Sequence, residues 1–480
     1  MRRVVAGGLL AAVLAGCSSG YRAPEVAPAG SRVGTVAADS LRLALDAIAG
    51  EPRTDTAGVR EISPDTAGAV AWLDVFSDTV LSGLVRSALD ENRDLRQAIA
   101  RIREYRAQAG VAQSEFFPQI SLNGAVLTQQ IALGIVPPAS FNAVRVEADA
   151  TWELDFWGRI RRSADAARAD LGAREEDRRA VILSLVSDVA TAYLQLREYD
   201  AELDIARRTM ASRQETLRLA RRRFSEGVVS ELDVRQFESE AAAAAASVAQ
   251  FSRLVSQQEN LIRVLLGRRD GAIPRGLPLD QVVTAVTVPD SLPASLIAGR
   301  PDVRRAEREL AAAAHRAGSA SSARLPRITV VGQYGSQSPD FSGLFGSNAE
   351  IYQLQGGISF PLFTGGRLRN QLRAAQARVT QAQAGYEQVV LSALRDVNDA
   401  MVGVRTSRDQ VDAQRIQVDA LRRGLSLAEL RYRSGLSSYL EVLDAQRSLF
   451  LAEVGLAQVQ RLQLTSTVQL YRALGGSWGE

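Results

Sequence analysis

Residues Ala150 to Arg162, ATWELDFWGRIRR, are echoed by Gly357 to Arg369, GISFPLFTGGRLR. In each stretch an alternating strand pattern ends in a glycine turn and a long unbroken helical pattern begins. Gly158-Arg159 and Gly366-Arg367 stand 208 residues apart (366 minus 158), and that offset holds without a gap along nearly the whole chain. Asp94 and Arg96 map to Asp302 and Arg304, Gly110 to Gly318, Pro118 to Pro326, and Gly124 to Gly332. Further on, Asp188-Val189 map to Asp396-Val397, Gly227 to Gly435, and Leu266-Gly267 to Leu474-Gly475. Resemblance among Ala- and Arg-rich helices explains matched alanines; it does not explain Gly and Pro recurring in one register where the pattern breaks. The chain is a tandem duplication, so its 480 residues form two intertwined halves of one body.

Each half carries a hairpin. In the first, Ile120, Leu122, Gly124 and Val126 alternate with polar or small residues. After a loop holding Pro137-Pro138, Val144, Val146, Ala148, Ala150, Trp152, Leu154 and Phe156 fall on one face, with Arg145, Glu147, Asp149, Thr151, Glu153 and Asp155 on the other. Successive strand residues point to opposite sides, so one side is wholly apolar and the other wholly polar. That run is longer than the 9–11 residues a tilted strand needs to cross a bilayer. The second half repeats it with Ile328, Val330, Gly332 and Tyr334, then Tyr352, Leu354, Gly356, Ile358, Phe360 and Leu362. Aromatics gather at the strand ends (Trp152, Phe156, Trp157, Tyr352, Phe360, Phe363), as interface girdles do.

The helices that follow run from Gly158 to Phe224 and from Gly366 to Tyr432 with no proline, roughly 100 Å each at 1.5 Å per residue. A seven-residue apolar row marks both: Ile182, Val189, Leu196, Leu203, Met210 and Leu217, then Val390, Val397, Val404, Val411, Val418 and Leu425. Such a row means left-handed supercoiling against a neighbour. The shorter helices on either side of each hairpin and tip, stacked end to end, nearly equal one long helix. Each repeat therefore supplies two helical columns and the chain four. The domain layout expected is a signal peptide over 1–16, a tether over 17–71, and a first repeat over 72–267. That repeat holds helix 92–117, hairpin 118–157 and helices 158–224 and 230–266. A connecting segment, 268–299, forms a small mixed belt. The second repeat, 300–480, holds helix 300–325, hairpin 326–363 and helices 366–432 and 438–474.

A four-stranded sheet with an apolar face has two open edges, and unpaired edge amides in lipid are prohibitively costly. Four strands cannot close alone. Eight give a barrel filled by its own side chains, whereas twelve, from three chains, leave an aqueous bore above twelve helical columns. The fold class expected is mixed but mainly α: a homotrimeric α/β-barrel with four strands per chain. The N-terminus agrees with a membrane destination. Arg2-Arg3 precede an apolar run, Val4 to Leu14, too short to span a bilayer. It ends in Leu14-Ala15-Gly16-Cys17, which resembles a bacterial lipobox with Cys17 as the lipidated residue. Cys17 is the only cysteine, so no disulfide or thiol metal site is expected.

Seven motifs resemble the outer membrane efflux protein (TolC-like) family, especially its NodT-type lipoproteins. They are Asn92-Arg-Asp-Leu95, Trp152-Glu-Leu-Asp-Phe-Trp-Gly-Arg159, Arg300-Pro-Asp-Val303, Pro361-Leu-Phe-Thr-Gly-Gly-Arg367, Tyr432-Arg-Ser-Gly435, Glu441-Val-Leu-Asp-Ala-Gln446 and Ala473-Leu-Gly-Gly-Ser-Trp478. The resemblance implies a passive trimeric duct, an outer membrane β-barrel continuous with a periplasmic α-helical barrel. It docks on a periplasmic adaptor (membrane fusion protein) and an inner membrane RND-type transporter, and exports drugs and toxic compounds. Ser18 after the cysteine implies, by the same resemblance, sorting to the outer membrane.

The free tips are expected at the two helix-to-helix turns, where the resemblance makes Gly227, Val228, Ser230, Gly435, Leu436 and Ser437 candidates for adaptor contact. Glu441 and Asp444 lie three apart, hence on one helix face. Three copies would make a ring of six carboxylates there, and the resemblance places constricting acids at this point, a cation-favouring gate. Asp233 aligns with Glu441 in the first repeat, while Gln236 aligns with Asp444. Tyr432 aligns with a family tyrosine that holds neighbouring coils together, and Ser437 stands where one member has a gating arginine. Gly158, Arg159, Gly366 and Arg367 make the strand-to-helix turns.

Nothing in the residues suggests catalysis. The single histidine, His315, lies in an alanine-rich helix, and no phosphate loop, metal-ligand spacing or partnered nucleophile occurs, so neither enzyme activity nor a cofactor is expected. Net charge is +3 with every basic group an arginine. Acids are interleaved with those arginines, so no nucleic-acid partner is expected. A periplasmic coiled-coil scaffold would explain the heptads but not two bilayer-length hairpins. Within the duct class, type I protein secretion and heavy-metal efflux are the alternatives to drug efflux, although no Met- or His-rich lining favours metals.

Overall fold

The structure, a computed structural model, describes residues 76–131, 139–282 and 295–476. Cys17, the signal segment, the tether, Pro137-Pro138 and Trp478 lie outside them. In chain order the elements are α1 (Thr79–Glu91), α2 (Arg93–Ser114), β1 (Gln119–Ile131), β2 (Ala139–Leu154), α3 (Arg159–Ser225) and α4 (Glu231–Leu265). A 3-10 turn at Leu279–Gln281 and the short α5 (Ser295–Ala298) follow. The second repeat then brings α6 (Pro301–Ser322), β3 (Arg327–Ser338), β4 (Glu350–Ser359), α7 (Arg367–Arg433) and α8 (Tyr439–Ala473). The fold is mainly helical, with one small sheet and two long helices of 67 residues each. The chain divides into two compact units. One holds Arg101–Glu175 and Arg305–Gln388; the other holds Glu176–Arg304, Val389–Glu480 and the segment ending at Ala100.

The first unit contains the sheet, antiparallel throughout in the order β1-β2-β3-β4. Its central pair joins the two repeats, with Leu154 opposite Ile328 and Val144 opposite Ser338. Much of the apolar face is bare: Ile120, Leu122, Val126, Tyr334, Tyr352, Leu354 and Ile358 are exposed, while Val144 is buried. In a sheet facing water these would form the core, so their exposure marks a surface meant for another apolar medium. The opposite face is polar. Asn123 Nδ2 donates to Asp149 Oδ2 (2.5 Å) and Arg145 pairs with Glu147. Alternation in β1 ends near Val126, but the strand continues to Ile131 through Thr128, Gln129 and Gln130 because β2 supplies a full ladder of partners there. Helical pattern alone carries α2 to Phe117. It ends at Ser114, where the amides of Phe116 and Phe117 turn back onto the carbonyls of Gln113 and Ser114 (3.1 Å each) ahead of Pro118. Small residues let α6 sit close to α7, where Ala317, Ala375 and Val379 are buried together.

The second unit is built on the seven-residue rows. Ile182, Val189, Leu196 and Leu203 on α3, and Val397, Val411 and Val418 on α7, are all buried. Its main core joins the α3 row to Leu81, Val85 and Leu89 of α1 and to Ile262 and Leu266 at the end of α4, with Leu464 and Val468 of α8. Shorter helices meet end to end in the same way in both repeats. Asn92, between α1 and α2, donates to the Leu265 carbonyl that ends α4 (2.8 Å). Arg300, its counterpart ahead of α6, donates to the Ala473 carbonyl that ends α8 (2.6 Å). Carbonyls left over at a helix terminus are thereby satisfied.

Of the connecting segment, the described part holds only the 3-10 turn and α5, with no strand among the described residues. It is fastened to α1 and α3. Asp78 caps α1 by accepting from Val80 N and Leu81 N. The buried Tyr193 hydroxyl donates to that same carboxylate (3.0 Å) and accepts from Gly276 N (2.7 Å). Burial pushes the Tyr193 hydroxyl up to about 12, so it stays a neutral donor. A side chain at Gly276 would strike the Asp78 carboxylate, which is why the crossing uses glycine.

Candidate functional site

Both helix tips are built alike. At Gly227 φ is +71° and at Gly435 +73°, a left-handed conformation that glycine adopts without steric cost. Val228 N reaches back to Arg223 O and Leu436 N to Arg431 O (2.9 Å each), closing the ends of α3 and α7. Val228 and Leu436 are two-thirds or more exposed, with Gly227, Ser230 and Gly435 exposed beside them. Ser437 is half-buried, and its hydroxyl has no hydrogen-bond partner among the described residues. Above the first tip, α3 and α4 leave a shallow groove lined by Gln214, Leu217, Arg218, Arg221, Glu238 and Ala241.

The candidate gate residues have distinct surroundings. Asp233 closes a capping box on α4: its carboxylate accepts from Ser230 N (3.0 Å) and Oγ (2.8 Å), while Asp233 N donates back to Ser230 Oγ (3.2 Å). The Ser-x-x-Asp spacing is a helix-start signature, so this local task could have been found in the sequence. Glu441 is exposed and pairs with Arg431 at 3.4 Å. Asp444 is also exposed. The Tyr432 hydroxyl accepts from Arg223 Nη1 at 3.5 Å. Its ring lies edge-on to Tyr439 (5.4 Å), which packs on Phe237 (4.1 Å). Tyr432 thus ties the end of α3 to α7, α8 and α4. Burial holds the Tyr439 hydroxyl up at about 12.

Behind the aromatics sits a charged cluster that sequence pattern does not reveal. Arg213 and Glu240 are both buried and paired at 2.8 Å. Arg447 of α8 bonds the same Glu240 carboxylate. The Arg447 guanidinium thus reaches across from α8 to α4. Higher up, Glu198 and Glu202 are buried on α3 and face Arg461 and Gln458 of α8. Burial, with the neighbouring Glu198 charge, pushes Glu202 up to about 7 even though Gln458 Nε2 donates to it at 2.9 Å. Each contact joins residues about 30 to 260 apart in the chain, and no period marks such pairs.

The strand-to-helix turns differ more. Gly158 (φ +72°) leads into α3, whose first amides, Ile160 N and Arg161 N, donate to Asp155 (3.0 and 2.7 Å). Arg159 grips Glu153 with two bonds (2.9 and 3.0 Å), and that bond raises its pKa above the usual guanidinium value. Gly366 (φ +82°) leads into α7, where Arg367 is exposed and reaches Gln371 at 3.4 Å.

Comparison with known proteins agrees with this geometry. The sequence profile described as outer membrane efflux protein matches residues 84–268 and again 292–476. The toluene efflux pump outer membrane protein TtgF of Pseudomonas putida is 35% identical over 430 residues, covering 88% of each chain. A probable outer membrane lipoprotein of Salmonella typhimurium, SilC, is 31% identical over 411 residues, 85% of this chain and 88% of its own. Among solved structures, the outer-membrane channel OprN superposes with a TM-score of 0.80 at 31% identity, covering 89% of this chain and 99% of that one.

Proposed function

The chain belongs to the outer membrane efflux protein family, and from that premise we propose that three copies join their sheets into a twelve-stranded barrel in the outer membrane. Twelve helical columns continue the bore into the periplasm. The duct is passive. Transport energy comes from an inner membrane transporter of RND type, reached through a periplasmic adaptor that grips the tips around Val228, Ser230, Leu436 and Ser437. Its cargo is small toxic molecules of the apolar kind named for TtgF. Cys17 is the lipid attachment point, in keeping with the lipoprotein SilC.

One observation carries the reading: a sheet with a bare apolar face and two open edges, in the same chain as helices of 67 residues. Such edges must close in lipid. Glu441 and Asp444, with Asp233 and Tyr432, form the periplasmic constriction, where the exposed acids attract cations. The purified protein in planar bilayers is expected to pass a small cation-preferring current, and Glu441→Ala with Asp444→Ala to raise it severalfold. Unchanged conductance in the single and double variants would remove the gate; no current under any condition would remove the duct.

A further inference from the structure

Glu198 and Glu202 stand one turn apart on α3, only 4% and 2% exposed, and their spacing turns both toward one neighbour, α8. A single guanidinium meets them. Arg461 Nε donates to Glu198, which also accepts from Gln195 Nε2 (2.9 Å). Glu202 meets an amide instead: Gln458 Nε2 donates to its Oε1 at 2.9 Å. The Tyr199 hydroxyl stands near both acids. From α4 the neighbouring side chains are apolar, Val248, Phe251 and Val255, and with Val454 of α8 they pack around the next turn at Leu203 and Ala206. The charges acting on Glu202 are those of Glu198 and Arg461. With one cation for two enclosed carboxylates, Glu202 is the acid that keeps its proton, because an unpaired buried charge is strongly disfavoured.

The helices themselves do not call for acids here. By the 208-residue offset the two donors recur, Gln458 as Gln250 and Arg461 as Arg253, whereas Glu198 and Glu202 match Thr406 and Gln410. All four counterparts are exposed. The acid pair therefore belongs to the first repeat, and it sits where that repeat's α3 touches the second repeat's α8. Glu202 precedes Gly227 by 25 residues (227 minus 202) and Gln458 follows Gly435 by 23 (458 minus 435). Both lie roughly 35 Å from their tips at 1.5 Å per residue. A parting of α3 from α8 at this level shifts one tip against the other.

We propose that Glu202 and Gln458 form a proton-held clasp between the repeats, shut while Glu202 is protonated and loosened when that proton passes to water. Ionisation places a second negative charge beside Glu198 in a space closed to solvent. α3 and α8 relieve it by drawing apart until water reaches the carboxylate. Burial, helped by the Glu198 charge, lifts Glu202 from 4.5 to about 7. The proton's hold is therefore full below about pH 4.5 and gone above about pH 7. If the loosened joint restores the ordinary value, its population rises about tenfold between about pH 6 and about pH 8, most of it before pH 7. In the duct, one clasp per copy makes the tips more mobile as the compartment turns from acid to neutral. That consequence rests on the duct reading above; the clasp itself does not.

Hydrogen exchange of the full chain in mild detergent reads the clasp without any current. After correction for the intrinsic rate, amides of α8 around Gln458 are expected to exchange about tenfold faster at about pH 8 than at about pH 6. Glu202→Gln keeps the shape, cannot ionise, and is expected to exchange slowly at both; this comparison also subtracts His315, which lies on α6. Gln458→Met removes the donor that favours the charged form, so its transition is expected at higher pH. Equal protection of the unaltered protein at both values, a step that survives Glu202→Gln, or a step that Gln458→Met does not move overturns the clasp. In planar bilayers the current is expected to be severalfold larger at about pH 8 than at about pH 6, and Glu202→Gln to abolish the difference. A step in exchange with a flat current overturns the coupling to the tips. No current at any pH sinks the duct and leaves the exchange result to decide the clasp.

Discussion

The two repeats share an outline and differ in how firmly it is fastened. In the first, Ser230 and Asp233 close a capping box, Arg159 holds Glu153 with two bonds, and Tyr193 ties α3 to Asp78 and Gly276. At the matching places in the second, Ser438 makes no side-chain cap bond, Arg367 has one long bond to Gln371, and Met401 stands where Tyr193 would be. Duplication copied the periodic features that make helices and strands. It left each copy free to change the polar side chains between them. At these three places the first repeat is the more firmly tied half.

The largest difference should appear at Tyr193. Tyr193→Phe removes a hydroxyl that serves both a buried carboxylate and a backbone amide, so a loss of about 1–3 kcal/mol is expected. Met401→Leu, at the matching position, should cost far less; thermal unfolding in detergent compares them. Equal losses would end the contrast between the halves.

Next comes Glu202, whose counterpart is Gln410. Its folded value of about 7 lies above the ordinary 4.5, so the folded chain holds this proton more tightly than the unfolded one. The stability it lends is full below about pH 4.5 and is lost as pH climbs to about 7. Glu202→Gln should flatten that slope and leave a more stable protein at pH 8, read from melting temperatures across the window. A slope unchanged by the substitution would assign the titration elsewhere.

The smallest effect is at the caps. Ser230→Ala should cost about 1 kcal/mol and Ser438→Ala almost nothing, because only the first hydroxyl accepts a backbone bond. Comparable costs would show that the second cap forms once neighbours are in place, which would sharpen the comparison rather than end it.

What the sequence made legible was whatever repeats at short range. Rows such as Val189–Leu196–Leu203 and the alternation from Val144 to Leu154 announce helix and strand because core-facing positions recur with a fixed step. Gly227 and Gly435 announce turns because few other residues take their backbone angles. The polar interior was not legible. A glutamate such as Glu202 or Glu240 reads like any solvated acid. Only the arrival of Gln458 or Arg447 from another helix shows that it is enclosed. Asp233 lies between these cases: its box with Ser230 is written locally, yet its place near the tip drew attention to a different task.

The open rims of the sheet also govern the first moments of a newly exported copy. In the proposed trimer, a copy that has not yet met two others carries a row of unsatisfied amides along each border of its sheet, able to zip onto any extended segment that drifts past. Its maturation must therefore be a race between finding its siblings and clumping with strangers, and crowding the compartment with half-made subunits should favour the clumps.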